Sequence, residues 1–418
     1  MCTAIIELFK TATSLNHTEL AGATYLMRYC NYCVMPDTKP DLHFDGHGIC
    51  DACRSAERKN AEINWEERKL AFEAIIAKAR SKASGGYDCV VPVSGGKDST
   101  YQVWKVLQYG LKPLCVSFEP TSPTELGKRN LENLGKLGVD ILQFRKNPHV
   151  YKRMCQIAFA QVGDHDWPNH VGIFTVPITV AVNYKIPLIV WGENSQLEYG
   201  GPMRSTESNN LDRRWLEEFG GLLGYRVSDM MQEGIPASDL TPYIYPADEA
   251  LKAADISSIF LGYYFKWDAV SQVDAVKKLG FQVKEDGPVE GTYTNYENLD
   301  CAFTAIHDYL KFVKFGFGRT TDHACIDIRN GRLSRDEAID LVTKYDGKYP
   351  SIALPRFLEY IELTKTQFDA TVDSFTNRHI FEMDSAGFKR DQEGNLIKKQ
   401  PIGPVSPAEL PAAFSVAN

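Results

Sequence analysis

A glycine-rich segment in the first third of the chain carries residue types that bind phosphate. It reads Ser94-Gly-Gly-Lys97-Asp98-Ser-Thr, follows a short apolar run and precedes a helical pattern. The two glycines let backbone N–H groups approach an anion, and a helix N-terminus adds its partial positive charge. The hydroxyl groups can donate hydrogen bonds, Lys97 can neutralise phosphate and Asp98 can hold Mg²⁺. We predict a phosphate and magnesium site that consists of Ser94, Gly95, Gly96, Lys97, Asp98, Ser99 and Thr100.

The spacing of this segment differs from the Walker A pattern G-x4-G-K-[ST], so transfer of a γ-phosphoryl group is not indicated. The plain alternative is a strand-to-helix turn that uses two glycines and an Asp or Ser cap. The functional interpretation is favoured because the segment supplies several phosphate and metal ligands at once.

Four of the ten cysteines form two closely spaced pairs, Cys30-x2-Cys33 and Cys50-x2-Cys53. Each pair makes a tight turn that directs two sulfurs at one ion, and two such turns complete the tetrahedron of a zinc site. A closed four-cysteine site leaves no open coordination position, so we expect it to stabilise the fold rather than to catalyse. A redox dithiol and four unrelated buried thiols are the alternatives.

Composition excludes several classes of protein. The chain has 418 residues, of which 44% are apolar and 24% charged, which is typical of a globular protein and not of a disordered or fibrous one. Its 46 basic and 54 acidic side chains leave a net charge of −8, whereas an electrostatic nucleic-acid binder is basic. We therefore expect no nucleic-acid partner. Ten cysteines without a secretory leader indicate a reducing compartment.

The N-terminal sequence lacks a basic region followed by a long apolar core, which a secretory signal needs. The most apolar stretch, Val171 to Trp191, contains Lys185 and two prolines, so a buried helix followed by a buried strand explains it better than a membrane span. We predict a cytoplasmic protein without membrane contact. Cys2 has the position of the nucleophile of some glutaminases, but a different module begins too soon after it to leave room for that domain.

The pattern of apolar runs predicts the elements that position the phosphate loop. Four runs expected to be strands lie at 87–93, 113–119, 139–144 and 187–192. Helical stretches precede the first run and separate the others. Continuous apolar strands that alternate with helices indicate a parallel sheet covered on both faces. Beyond about residue 200 the alternation ends, and residues 200–214 predict a long functional loop.

The sequence Ser-Gly-Gly-Lys-Asp-Ser after a buried strand resembles the pyrophosphate loop of the PP-loop ATPases, which split ATP between its α- and β-phosphates. The resemblance implies a five-stranded, doubly wound, HUP-like sheet whose first and fourth strands are neighbours. The loop would then lie beside the end of the fourth strand. Glu193 would be a catalytic magnesium or substrate contact, Glu119 would lie near the adenosine, and Gly192 and Asn194 would contact ATP. Helix capping is the alternative for Glu193, Glu119 and Asn194.

We predict an α/β fold with an N-terminal four-cysteine zinc module and a mainly helical C-terminal region. Its parts are an extension at 1–26, the zinc module at 27–62, the PP-loop ATP-binding domain at 63–245, a mainly helical substrate-binding region at 246–385 and an extended tail at 386–418.

Further motifs narrow the resemblance. They are Met27-Arg-Tyr-Cys, Trp191-Gly-Glu-Asn, Tyr296-Glu-Asn and the run from Lys311 to Arg335. Together they resemble the N-acetyl sugar amidotransferases of bacterial surface-polysaccharide synthesis, the WbpG and PseA kind, over about residues 27–385. The family implies adenylation of an acetamido oxygen and displacement of AMP by ammonia. The product would be an acetamidino sugar of a lipopolysaccharide O-antigen or of the pseudaminic acid type.

The basic segment at 311–335 is the predicted sugar site. Arginine binds phosphate or carboxylate groups bidentately, as a nucleotide sugar would require. The predicted contacts are Lys314, Arg319, Arg329, Arg332 and Arg335, with Lys311 beside them. The alternative is a solvated basic helix with intrachain salt bridges. His165 and His170 precede a buried helix, where a packed or exposed histidine is commoner than a catalytic one.

The expected partners are an N-acetylated sugar or nucleotide sugar and ammonia, which comes from solution or from a separate class-I glutaminase subunit. A tRNA sulfur-transfer enzyme of the same fold is the main alternative, and it needs a reactive cysteine near the ATP site. Cys89 and Cys115 lie in apolar strands, where thiols are usually inert. A non-catalytic sugar-nucleotide-binding protein is the second alternative, but such a protein needs no magnesium-binding carboxylate.

Overall fold

The structure is a computed structural model, and it describes residues 26–84, 86–194, 198 and 222–403. Cys2, most of the predicted extension, the loop predicted at 200–214 and the tail from residue 404 lie outside the described residues. None of the helices in the described ranges is long and apolar enough to cross a membrane.

Strands and helices alternate in the first half of the chain, close to the predicted positions. The strands are β1 Cys89–Pro92, β2 Pro113–Phe118, β3 Asp140–Phe144, β4 Leu188–Trp191 and β5 Ser257–Phe260. The helices up to β4 are α1 Asp51–Ala61, α2 Trp65–Lys82, α3 Lys97–Gln108, α4 Glu125–Gly135, α5 Pro148–Val162 and α6 Trp167–Tyr184.

The second half is mainly helical. Its helices are α7 Val227–Gln232, α8 Ala237–Leu240, α9 Asp248–Ala254, α10 Ala269–Lys277, α11 Thr304–Phe315, α12 Arg319–Arg329, α13 Arg335–Tyr345, α14 Leu354–Ile361 and α15 Lys365–Phe375. Local sequence sets several of their starts. Ser334 and Glu337, for example, form a capping box at the first turn of α13. The hairpin β6 Met383–Asp384 and β7 Gly387–Phe388 follows α15.

The five strands form one parallel sheet in the order β3-β2-β1-β4-β5. The central pair is β1 and β4, with Val90 opposite Ile189. The predicted adjacency of the first and fourth strands is therefore confirmed. The chain leaves β1 toward one edge of the sheet and returns to β4 on the other side, so the carboxyl ends of these two strands flank the switch point of the sheet.

Both faces of the sheet are buried. In β1, Val91 packs with Phe72 of α2 and Val103 of α3, whereas Val90 packs on the opposite face with Trp167 of α6. Residues of a strand alternate between its two faces, so the apolar runs read as continuous because both faces need apolar side chains. The predicted doubly wound sheet is confirmed.

The fifth strand extends the sheet beyond residue 245, where the ATP-binding part was predicted to end. Ser257–Phe260 pairs with the whole of β4. Helices α11, α14 and α15 form a separate apolar cluster that includes Phe159 of α5. Part of the predicted tail packs on the same cluster, because the Leu396 side chain is buried there.

The cysteine module packs on the helical half rather than on the sheet. Its buried residues share one apolar cluster with α12 and α13, including Cys325 and Ile328 of α12 and Val342 of α13. Helix α12 therefore has the cysteine module on one side. Its other side, with Arg319, His323 and Asp327, lines a pocket that also contains Lys97 of α3 and Glu193 after β4.

Candidate active site

The phosphate loop connects β1 to α3 and turns sharply at Gly95. Gly95 has a φ of +84°, and a Cβ atom there would lie 2.7 Å from the backbone nitrogen of Leu131. Glycine fits this position because it tolerates positive φ and has no side chain. The Ser94 hydroxyl accepts from the Gly96 N–H at 3.2 Å, and the Ser99 hydroxyl donates to the Gly96 carbonyl at 3.1 Å. The loop thus leads directly into the first turn of α3, the positive end of that helix.

Lys97 lies at the centre of a cluster of carboxylates. Its Nζ atom is 2.5 Å from Oδ2 of Asp98 and 2.7 Å from Oε1 of Glu297. Glu193, which follows β4, lines the same pocket. The ends of β1 and β4 therefore bring Lys97, Asp98 and Glu193 together, and the segment before α11 adds Glu297.

The pKa values in this cluster reflect burial and mutual repulsion. Burial and the neighbouring Asp98 carboxylate raise the pKa of Glu193 to about 7. Burial also raises the pKa of Asp98, although Lys97 opposes the change. Burial alone would lower the pKa of Lys97, but Asp98 and Glu297 hold it well above its ordinary value. Several carboxylates around one ammonium group leave an excess of negative charge, which a divalent cation would offset.

Two of the predicted arginines line the pocket, and both are already paired. Arg319 makes a bidentate contact with Asp308, with donor–acceptor distances of 2.6 and 2.8 Å. Arg332 donates to Asp327 at 2.7 Å and to Asp268 at 2.6 Å. These carboxylates hold the guanidinium groups in place beside the pocket.

His323 lies on the same face of α12 as Arg319. Its Nδ1 atom is 2.9 Å from the Thr292 hydroxyl, and its Nε2 atom is 3.9 Å from Oε1 of Glu297. Burial, with a smaller contribution from Arg319, lowers the pKa of His323 to about 3. His323 is therefore a neutral hydrogen-bonding group near pH 7.

The pocket formed by the described residues is acidic. Three basic side chains line it, namely Lys97, Arg319 and Arg332. Six acidic side chains line it, namely Asp98, Glu193, Glu198, Asp268, Glu297 and Asp327. The sequence had predicted a cationic sugar site, whereas here carboxylates outnumber the cations.

The other basic residues of the predicted sugar site have structural partners away from the pocket. Lys314 donates to the carbonyl groups of Val162 and Gly163 at 3.3 and 3.2 Å, at the end of α5. Arg335 donates to the Cys33 carbonyl at 3.2 Å, and Lys311 pairs with Asp322.

Arg329 also faces away from the pocket, toward the cysteine module. It donates to the Glu198 carbonyl at 2.8 Å, and its Nη2 atom lies 4.0 Å from the Cys33 sulfur. Of the six predicted cationic residues, two therefore line the pocket, and the other four hold neighbouring parts of the fold together.

The remaining predicted residues are Thr100 in the first turn of α3, Gly192 and Asn194 after β4, and Glu119 after β2. Thr100 donates to the Gly96 carbonyl at 2.9 Å, and the Gly192 carbonyl accepts from the N–H of Gly262. Asn194 is buried immediately after Glu193. Glu119 follows β2, where its carboxylate lies 3.6 Å from Arg145.

Of the two histidines considered from the sequence, His165 lies between α5 and α6, and His170 lies within α6. His165 is fully buried against Phe357 and Phe303, and burial lowers its pKa to about 4. His170 lies in the first turns of α6, near Asp166. Neither histidine lines the pocket formed by the described residues.

The four cysteines of the N-terminal module converge on one point. Neighbouring sulfurs are 3.5, 3.7 and 4.0 Å apart, and all four lie within 4.8 Å of one another. A tetrahedral zinc with Zn–S bonds of about 2.3 Å requires sulfurs about 3.8 Å apart. The N–H groups of Cys33 and Cys50 point at the Cys30 sulfur, at 3.5 and 3.3 Å. The donor set and spacing fit structural zinc.

Glu198 joins the cysteine module to the pocket. Its carboxylate is 2.5 Å from Lys59 of α1, and its carbonyl accepts from Arg329. Its backbone N–H donates to the Asn194 carbonyl at 3.2 Å, and it lines the pocket. One residue thus contacts the module and the segment that follows β4.

Sequence reasoning did not assign Glu297, His323, Asp268 or Asp327 to the site. Glu297 lies within the Tyr296-Glu-Asn motif that carried the resemblance, so the motif was a usable signal. Asp268 and Asp327 carry no local signal, because only the folded chain brings them to Arg332.

The helical half of the chain contains a match to a known protein family. Residues 290–393 match the family described as "LPS biosynthesis protein WbpG-like, C-terminal domain". That range contains Glu297, Arg319, His323 and Arg332, which form one wall of the pocket.

Two further proteins show partial similarity. An uncharacterized protein of Methanocaldococcus jannaschii, MJ1599, is 34% identical over 90 residues, which are 21% of this chain. The chain spans about a third of that relative, because the match covers 31% of its length. The structure of NMN synthetase from Francisella tularensis aligns at 13% identity over 46% of this chain and 92% of that one, with a TM-score of 0.25. The chain thus combines a C-terminal region similar to the WbpG-like family with a five-stranded parallel sheet and a Ser-Gly-Gly-Lys-Asp-Ser loop.

Proposed function

We propose that this chain is an ATP-dependent N-acetyl sugar amidotransferase of lipopolysaccharide synthesis. It converts an acetamido group into an acetamidino group with ammonia, and it releases AMP and pyrophosphate. The acetamido oxygen attacks the α-phosphorus of ATP and pyrophosphate leaves. Ammonia then adds to the activated carbon, AMP leaves with the former acetamido oxygen, and a proton is lost.

One observation carries this proposal. The phosphate loop after β1 and Glu193 after β4 share a pocket with Glu297, Arg319 and Arg332 of the WbpG-like domain. A phosphate site and a wall contributed by a polysaccharide-synthesis domain meet in one place, as a reaction between ATP and a sugar requires.

The loop residues have separate tasks in this reaction. The first N–H groups of α3 and the Lys97 ammonium would bind the leaving pyrophosphate, which gains charge as the α–β bond breaks. Lys97 must first exchange its contacts with Asp98 and Glu297 for contacts with phosphate. The hydroxyl groups of Ser94 and Ser99 already fix the shape of the loop.

The carboxylates fit Mg²⁺. Asp98, Glu193 and Glu297 supply hard oxygen ligands around an otherwise uncompensated negative charge. The bound ion would neutralise phosphate charge, and these three residues would hold it. Arg319 and Arg332 would hold the sugar, or the phosphate of a nucleotide sugar, at the opposite wall.

The thiolation alternative receives less support. Cys89 and Cys115 lie within β1 and β2, and burial raises the pKa of Cys115 to about 12 and that of Cys89 well above its ordinary value. No cysteine lines the pocket formed by the described residues. A thiolate nucleophile is the form that sulfur transfer needs, and burial disfavours it.

The test is a product assay. The protein would be incubated with ATP, Mg²⁺, ammonium and a series of N-acetylated nucleotide sugars, and the nucleotides separated. We expect AMP whose formation requires both sugar and ammonium. Release of ADP would exclude adenylation, and AMP formation that responds to tRNA instead of sugar would favour thiolation. Asp98→Asn tests the metal-binding carboxylate in the same assay. Its matched control is Asp274→Asn, at an exposed aspartate of α10.

A further inference from the structure

A second group of metal-ligating side chains lies apart from the cysteines. It consists of Asp166 and His170, near the start of α6, and His307 in the first turn of α11. One ligand atom from each residue lies within 4.8 Å of the others. The proposed amidotransferase reaction uses none of these side chains.

His307 is oriented for metal binding. Its Nδ1 atom lies 2.9 Å from Oδ1 of Asp164, a carboxylate that is almost fully buried. The Nδ1–H group donates to this carboxylate, which fixes the plane of the ring and leaves the Nε2 lone pair for coordination of an ion. A carboxylate that holds the far nitrogen of a histidine is the usual outer contact of histidine ligands in metal sites.

Asp166 is held by Asn169 of α6 and by Thr121, which follows β2. Its Oδ2 atom accepts from the Asn169 amide at 3.0 Å, and its Oδ1 atom is 3.5 Å from the Thr121 hydroxyl. Each oxygen keeps a further lone pair. The carboxylate is thus positioned before any ion binds.

His170 has donors and acceptors that the described residues do not use. Its Nδ1 atom is buried without a hydrogen-bond partner among them, and its Nε2 atom is 3.8 Å from Oδ2 of Asp166, beyond hydrogen-bonding distance. The ring stands at 86° to that of His307, with 5.1 Å between their centres. A buried polar atom without a partner is costly, and a metal ion among the three side chains would remove that cost.

We propose that Asp166, His170 and His307 bind a divalent transition-metal ion of the zinc class. Two imidazoles and one carboxylate are the ligand types such ions take, and three protein ligands leave coordination positions open for water or a small ligand. The site is independent of the four cysteines and of the proposed reaction. It lies close to the pocket, because Asp308, next to His307, is the partner of Arg319.

Metal analysis tests the proposal with the full-length chain. Wild type, His170→Ala and His149→Ala would be saturated with zinc, dialysed and analysed for bound metal. His170 has no hydrogen bond from its side chain to lose among the described residues, and His149 is an exposed histidine of α5. We expect His170→Ala to hold one zinc ion fewer than wild type and His149→Ala to equal wild type. Equal zinc content in His170→Ala and wild type would overturn the proposal.

Cobalt spectra provide a second readout that does not depend on the cysteine site. Co²⁺ bound to thiolates absorbs strongly in the near ultraviolet, whereas Co²⁺ bound to imidazole and carboxylate gives only weak visible bands. Tetrathiolate cobalt also absorbs in the visible, so we expect His170→Ala and Asp166→Asn to lose only the weak additional visible bands and one equivalent of bound cobalt, while the absorption of the thiolate site is unchanged. Spectra identical to wild type in both variants would count against the site.

Discussion

The two faces of helix α12 show how one basic segment serves two purposes. One face carries Arg319, His323 and Asp327, which line the pocket. The opposite face carries Cys325 and Ile328, which pack with the cysteine module. Residues three or four positions apart lie on the same face of a helix. The position of a residue within the eleven residues of α12 therefore determines which of the two faces it occupies.

The role of each of these arginines of α12 depends on the group that balances its charge. Arg319 is balanced by the Asp308 carboxylate beside a cavity. Arg329 is buried beside sulfur, and although burial would lower its pKa, Cys53 and Cys33 hold that pKa well above the ordinary value. If the four cysteines bind Zn²⁺ as thiolates, their site would carry a net charge of about −2, and the buried guanidinium of Arg329 would offset that charge.

The largest effect is expected on the cysteine side. Structural zinc sites contribute on the order of 10 kcal/mol to folding. Cys30→Ser should therefore remove the zinc and destabilise α12 and α13 together with the module. Zinc content and the free energy of unfolding measure this, with Cys155→Ser, a buried cysteine of α5, as the control. A Cys30→Ser protein as stable as wild type would show that the module is not a metal site.

On the pocket side, Asp98→Ala should leave zinc content and fold unchanged while AMP formation falls by about 10²–10³-fold, the usual loss when one preorganised charge contact is removed. Single-turnover assays with ATP and the acetamido sugar measure the loss. Full activity in this variant would remove the metal role of Asp98.

A pair of matched substitutions compares the two faces directly. Arg319→Gln should raise KM for the sugar, whereas Arg329→Gln should lower the free energy of unfolding by about 2 kcal/mol, the cost of losing hydrogen bonds to charged groups. Steady-state kinetics and urea unfolding on both proteins measure the two quantities. An Arg329→Gln protein with a changed KM for the sugar and an unchanged free energy of unfolding would contradict the structural role of Arg329.

The smallest effect concerns pH. Burial would raise the pKa of Asp268, but Arg332 and the Ser271 N–H lower it below its ordinary value. The resulting stabilisation, about 1 kcal/mol for a partly exposed pair, is present above the unfolded pKa of about 4. It is lost as the pH falls through the lower, folded value. The difference in unfolding free energy between wild type and Asp268→Asn should be constant near neutral pH and shrink below about pH 4. A constant difference at acid pH would contradict it.

The sheet was largely predictable from the sequence, because strands buried on both faces read as continuous apolar runs. The strand Ser257–Phe260 was missed, since it begins with two serines and is only four residues long. The phosphate loop was visible because its ligands are contiguous. Glu297 was not assigned although the Tyr296-Glu-Asn motif contains it, and Asp268 was not assigned because only tertiary packing brings it to Arg332. The sequence could not show that Arg319 lines the pocket and that Arg329 contacts the cysteine module, because this depends on what packs against each side of α12.

The charge balance of the pocket has a consequence for selectivity. Lys97 is already shared by Asp98 and Glu297, and in the described part of the chain carboxylates outnumber cations around it. A free anion such as sulfate, inorganic phosphate or uncomplexed ATP meets net repulsion there. An anion that arrives together with a divalent cation brings the missing positive charge with it. We therefore expect the pocket to bind phosphates as complexes with a divalent cation in preference to bare phosphates.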